Sequence, residues 1–218
     1  MKEKMKLLSL PLSIFYLFVS VVSCVPSDID SENLQLEVQA RRDAVNAVAL
    51  YKKLNSLTAK STFNAEGLTQ ETIDEYLVSV GFQPGVLTVE TVSQIVSELA
   101  QKQNGDFESE VQSMLVSPYV KQKLIEMEAS GFIKDLQNEE NFSELSKEEK
   151  VILLNSNALV QEFSKAAQQG DVTAPCPSEA CTFSMLLLGA SIGTAVCGPL
   201  CGFFGGVIGL MVGTSLKD

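Results

Sequence analysis

Five cysteines, no histidine and several adjacent carboxylates bound the chemistry open to this chain of 218 residues. Cys24 stands alone near the N-terminus, whereas Cys176, Cys181, Cys197 and Cys201 all lie near the C-terminus. Thiols can carry lipid, pair as disulfides or hold zinc. Four of them in an oxidising compartment point to two disulfides, with three connectivities open. Joining the first two to the last two would require the intervening chain to fold back, so local pairs are the simpler geometry. A four-thiolate zinc site is formally available but ranks below disulfides, because the flanks are apolar, and no metal is expected. Cys197-Gly198-Pro199-Leu200-Cys201 has one residue too many for a redox C-x-x-C motif, and no βαβ pattern surrounds it.

Without histidine there is no Ser-His-Asp or Cys-His couple, no histidine zinc site and no imidazole relay. The acidic pairs Asp74-Glu75, Glu139-Glu140 and Glu148-Glu149, with Glu108 and Glu110, read as solvated helix faces. Neighbouring carboxylates on a helix point about 100° apart and do not converge on a substrate. A Walker loop, G-x-G-x-x-G and G-x-S-x-G are all absent from the sequence. No enzymatic activity, cofactor or small-molecule substrate is expected. With 16 Lys+Arg against 27 Asp+Glu the formal charge is −11, and no basic stripe offers itself to phosphates, so nucleic acid is not an expected partner.

The elements that must position these residues are helical. Ala47, Leu50, Tyr51 and Leu54 recur at i, i+3, i+4 and i+7, as do Ile73, Tyr76, Leu77 and Val80, then Val92, Ile95, Val96 and Leu99. Gly81, Gly105, Gly131 and Gly170 fall where helices should stop. Ser117-Pro118 opens one helix, and Ser146 with Glu149 fits a capping box on another. Leu68-Thr69-Gln70-Glu71-Thr72-Ile73 is echoed by Leu87-Thr88-Val89-Glu90-Thr91-Val92, which predicts two Thr-capped helices in an αα-hairpin rather than a solenoid. Residues 33–170 are thus expected to form an acidic all-α domain, followed by a Pro/Cys linker over 171–182.

Beyond Glu179 no charge appears until Lys217, and this stretch holds eight of the chain's 14 glycines. Gly198-Pro199 divides it, so residues 183–216 read as a hydrophobic helical hairpin. Gly189 and Gly193, then Gly198, Gly202 and Gly206, then Gly205, Gly209 and Gly213 form rows spaced by four. Rows of this kind let helix backbones approach closely and suit a membrane-inserted or tightly packed hairpin.

Residues 1–23 open with Lys2, Lys4 and Lys6, continue as an apolar run from Leu7 to Val22, and read as a signal peptide. Val21-Val22-Ser23-Cys24 resembles the lipobox of bacterial lipoproteins. That resemblance implies cleavage before Cys24, a diacylglycerol and a further acyl chain (palmitate) on Cys24, and residence in the bacterial cell envelope. Residues 24–32 read as an acidic extended tether, since Asp28, Asp30 and Glu32 lack the turn glycine and distal Glu of a calcium loop. The tether also resembles the acidic stretch that sends some Bacteroidetes-like lipoproteins to the outer membrane or cell surface. The layout of Cys176–Asp218, a short Gly- and Cys-bearing apolar peptide behind a polar helical part, resembles halocin C8-like bacteriocin precursors, with fewer cysteines and no double-glycine processing site. This resemblance implies a membrane-acting tail, with membrane lipid as partner. The alternative expectation is a non-catalytic structural or interaction lipoprotein, its hairpin packed internally or used for self-association.

Overall fold

The computed structural model describes residues 28–58, 69–79, 81–102, 106–174, 176 and 178–214. The N-terminal address, the lipobox with Cys24, the expected stripe residue Val80 and the expected stop at Gly105 lie outside these residues. Two compact units are distinguished, residues 1–35 and 36–218. Among the described residues the first contributes only the opening of a helix that begins at Asp28. Asp28–Glu32 are therefore helical where an extended tether was expected. Everything below concerns the second unit.

The described residues form nine α-helices and one short 3-10 turn, with no strand among them, so the fold is all-α. In chain order the helices are α1 (Asp28–Thr58), α2 (Gln70–Ser79), α3 (Val89–Lys102), α4 (Phe107–Ser113), α5 (Pro118–Ser130), α6 (Glu140–Ser143), α7 (Lys147–Gln168), α8 (Glu179–Cys197) and α9 (Pro199–Thr214). The expected apolar stripes face inward: Ala47, Leu50, Tyr51 and Leu54 on α1, Ile73, Tyr76 and Leu77 on α2, and Val92, Ile95 and Leu99 on α3 are buried, while Val96 is partly buried.

Caps fix the boundaries. The Thr69 and Thr88 hydroxyls accept from the amides of Thr72 and Thr91, both at 3.3 Å, so the echoed sequence is an echoed cap. Gln70 ties the two copies together, donating to the Leu87 carbonyl at 3.0 Å and accepting from the Val89 amide at 3.2 Å. The capping box of Ser146 and Glu149 forms as expected, and Ser117 caps α5 with Pro118 in its first turn. Gly81, Gly131 and Gly170 adopt φ of 85°, 86° and 74°, the left-handed region that ends a helix without a Cβ penalty.

The hairpin is the centre of the unit. α8 and α9 lie antiparallel on each other, and α3, α4, α5 and α7 pack around them. α8 starts at Glu179, so the stretch expected as linker already becomes helical there, with Ser178 accepting from the Cys181 amide as its cap.

Candidate functional site: the enclosed hairpin and an adjoining cleft

The seam between α8 and α9 is built on backbone rather than side chains. A Cβ added at Gly189 would fall on the Gly205 carbonyl, one at Gly205 on the Gly189 carbonyl, one at Gly193 on the Cys201 carbonyl, and one at Gly209 on the Met185 carbonyl. Each step of four back along α8 meets a step of four forward along α9, which is the register of an antiparallel pair. The remaining glycines differ in role. Gly198 carries φ of 88° in the turn, Gly202 faces Thr194, and Gly206 faces the Leu159 side chain of α7. Gly213 is buried near the end of α9.

The apolar faces that this seam leaves over are covered by the shell. On α9 every residue from Cys201 to Gly213 is buried, and on α8 so are Phe183, Met185–Ala190, Ile192 and Gly193. α8 is long and apolar enough to cross a membrane by length and composition, yet much of it is inside the protein. Tyr76 of α2 lays its ring against Phe204 of α9, with centroids 5.4 Å apart, and Ser184 of α8 donates to Glu128 of α5 at 2.8 Å.

Both cysteine pairs are local. Cys176 pairs with Cys181 and Cys197 with Cys201, with Cα separations of 5.7 and 5.6 Å. The first ties the entry strap to the first turn of α8; the second spans the turn from α8 to α9. The pairs stand at opposite ends of a helix about 28 Å long, so neither a cross-connected disulfide nor a four-thiolate zinc site forms within one chain.

Beside the hairpin a cleft of about 410 Å³ opens between α1, the turn at Gly81-Phe82, α7 and α9. Its walls are Leu36, Phe82, Val151, Leu154 and Phe203, and its polar groups are Gln39, Arg42, Asp43 and Asn155. Asp43 is 6% exposed. Gln39 donates to its Oδ2 at 2.6 Å, while Oδ1 accepts no hydrogen bond among the described residues. Burial raises the Asp43 carboxyl above the ordinary range, more than Gln39 and Arg42 lower it. Burial also pushes the phenol of nearby Tyr76 upward, and the charge of Asp43 adds to it.

No family model, curated protein or solved structure matches this chain.

The acidic pairs are more occupied than solvated faces would be. One member of each adjacent pair is drawn into structure. Asp74 accepts the Gly85 amide at 2.7 Å and steadies the α2–α3 turn, while its neighbour Glu75 pairs with Lys53. Glu139 receives Lys123 and the Tyr119 hydroxyl at 2.8 and 2.9 Å. Burial raises the Glu139 carboxyl, but these partners outweigh it and hold it below the usual range. Glu149 accepts the Ser117 amide at 2.7 Å besides closing its box, and these bonds likewise overcome burial to lower it. Glu110 pairs with Lys102. Reasoning from sequence missed Asp43 altogether, although its place in the stripe Ala40, Ala44, Ala47 was a signal.

Proposed function

We propose that this is a non-catalytic, lipid-anchored envelope protein that acts by binding, with its glycine-rich hairpin held as the internal core of an acidic helical shell. The observation that carries this reading is the continuous burial of α9 from Cys201 to Gly213. A helix apolar all round must be enclosed by protein or lipid, and here protein encloses it. The anchor rests on the lipobox resemblance at Val21–Cys24 and places the shell at a membrane surface.

A second reading has its own support. The hairpin carries no charge from Ala180 to Leu216, and α8 alone has the length of a short membrane pass. Unwrapping the shell would expose a two-pass element, so the enclosed form would be the masked state of a membrane-acting protein.

One experiment separates them. Residues 24–218 with Cys24→Ala, which removes the lipid, would be tested for detergent-phase partition, protease resistance of α8–α9 and dye release from anionic vesicles. Aqueous partition, a protected hairpin and intact vesicles support the enclosed reading. Dye release, with the hairpin becoming protected only by lipid, would replace it with the membrane-acting one.

A further inference from the structure

The two disulfides differ in what a thiol arriving from solvent can reach. Among the four paired cysteines only Cys197 is exposed: α8 leaves the shell over its last turn, where Ala195 and Cys197 are exposed and Val196 still packs on the core. Its partner Cys201 is 2% exposed. In the other pair Cys176 is 5% exposed and Cys181 is half-buried against the core. The strap leading to Cys176 is also moored to α1, where the Tyr51 hydroxyl donates to the Thr173 carbonyl at 3.2 Å. Disulfide exchange needs a thiolate to approach one sulfur while the other leaves, so its rate depends on access and on how well the leaving sulfur carries charge.

The leaving groups differ too. Cys201 lies in the first turn of α9. Gly198 opens that helix by accepting the Gly202 amide, and as a glycine it has no side chain to cap the amides that follow. Negative charge released on Cys201 therefore falls at the positive end of the helix dipole. On α8 the order is reversed. Cys181, the more accessible of its pair, occupies the first turn, and its amide already donates to Ser178 Oγ at 3.2 Å. The sulfur that would leave belongs to Cys176, which precedes the helix.

We infer that Cys197–Cys201 is an exchange-active disulfide, with Cys197 the site at which a small thiol attaches. The incoming thiolate bonds to Cys197 Sγ, the S–S bond breaks, and its electron pair leaves on Cys201 Sγ, enclosed beside the mixed disulfide. A second molecule of the thiol, as thiolate, attacks the sulfur of the first and releases Cys197 as a thiolate. Two thiols are thereby oxidised to one disulfide, and Cys197 and Cys201 are reduced. Attack by Cys201 on Cys197 instead recloses the pair and expels the thiol. The turn does not depend on the bond. The Gly198 amide donates to the Thr194 carbonyl at 2.9 Å, the Gly202 amide to the Gly198 carbonyl at 3.2 Å, and Gly193 packs on the Cys201 backbone. Exchange therefore takes place on the folded protein. This inference goes beyond the enclosed-hairpin reading and adds a small-molecule reactant where none was expected; it asks for exchange, not turnover.

The test uses residues 24–218 with Cys24→Ala, which include every described residue and leave only the two pairs. The oxidised protein is incubated with reduced glutathione near neutral pH, quenched with acid at intervals, alkylated and mapped by mass spectrometry, while circular dichroism follows the fold. The expected result is that Cys197–Cys201 opens at least about tenfold faster than Cys176–Cys181, with glutathione on Cys197, none on Cys201, and the helical signal unchanged. Cys201→Ser, which removes the resolving thiol, should accumulate the mixed disulfide on Cys197 when given oxidised glutathione. Cys197→Ser should leave the enclosed Cys201 unmodified under the same conditions. The time course on the chain with both pairs decides the matter even where a variant fails to fold. Equal opening of the two pairs, faster opening of Cys176–Cys181, or glutathione on Cys201 would overturn the proposal. So would a Cys197–Cys201 bond that opens only when urea unfolds the chain, which would make it purely structural.

Discussion

Two neighbouring glycines on α9 carry different loads. Gly205 faces the Gly189 backbone, which cannot move without separating α8 from α9, whereas Gly206 faces the tip of Leu159, which can turn away. Gly205→Ala should therefore destabilise the protein by about 1–3 kcal/mol through overpacking. Gly206→Ala should change stability by less than about 1 kcal/mol, because the helix gains roughly that much when Gly becomes Ala. Urea midpoints of the two variants check the contrast. Glu149 offers a second test at this scale. Its carboxylate closes the α7 capping box and holds the Ser117 amide that starts α5, so Glu149→Ala should cost about 1–2 kcal/mol at neutral pH. Its folded-state pKa is depressed, so this stability is present above the unfolded value, near 4.3, and is lost as pH falls through the lower folded value. Urea curves for the two chains should approach each other on acidification from pH 6 to pH 3. The glycine spacing was legible in the sequence, but the seam was not. Rows spaced by four are the same whether lipid or protein covers them, and the close contacts join Gly189 and Gly193 of one helix to Gly205, Gly209 and the Cys201 carbonyl of the next.

Helices were legible where periodicity and a cap agreed. α2 and α3 each showed a Thr cap and an apolar stripe, and both formed as read. α4 escaped because seven residues barely complete two turns, too short to establish a period, although Asp106 caps it by accepting from Ser109. The region between α5 and α6 escaped for another reason. It is held by a distant residue: Asn157 of α7 accepts the Ile133 amide at 2.7 Å and donates to the Ile133 carbonyl at 2.8 Å. No local pattern announces such a clamp. The two disulfides belong to this scale, since each secures one end of α8. Their loops span separations of only five and four residues, so each restricts the unfolded chain modestly and should contribute about 2 kcal/mol. Replacing either pair by serine should lower the unfolding free energy read from urea curves by a similar amount and leave the chain folded. Peptide mapping under non-reducing conditions should recover Cys176 with Cys181 and Cys197 with Cys201.

At the scale of the whole molecule the hairpin's place decides what the chain is. Sequence composition set residues 183–216 apart from an acidic domain that looked complete, because α1, α2 and α3 each show an apolar stripe of their own. The stripes were read correctly, but not what they face. α3, α5 and α7 pack onto α8 and α9, and Tyr76 of α2 rests on Phe204. If the shell had a core of its own, a chain ending at Ala174 would fold and only lose a tail. The arrangement here predicts the opposite. Without α8 and α9 the side chains of Tyr76, Leu159 and their neighbours on α3 would lose their apolar cover, and exposing that surface would forfeit about 25 cal/mol per Å². The truncated chain should show no cooperative urea transition, should bind a hydrophobic dye, and should exchange its α3 and α7 amides within seconds to minutes where the intact protein protects them. A cooperative transition in the truncated chain would mean that the shell stands alone, and the hairpin would then be a passenger that the shell carries.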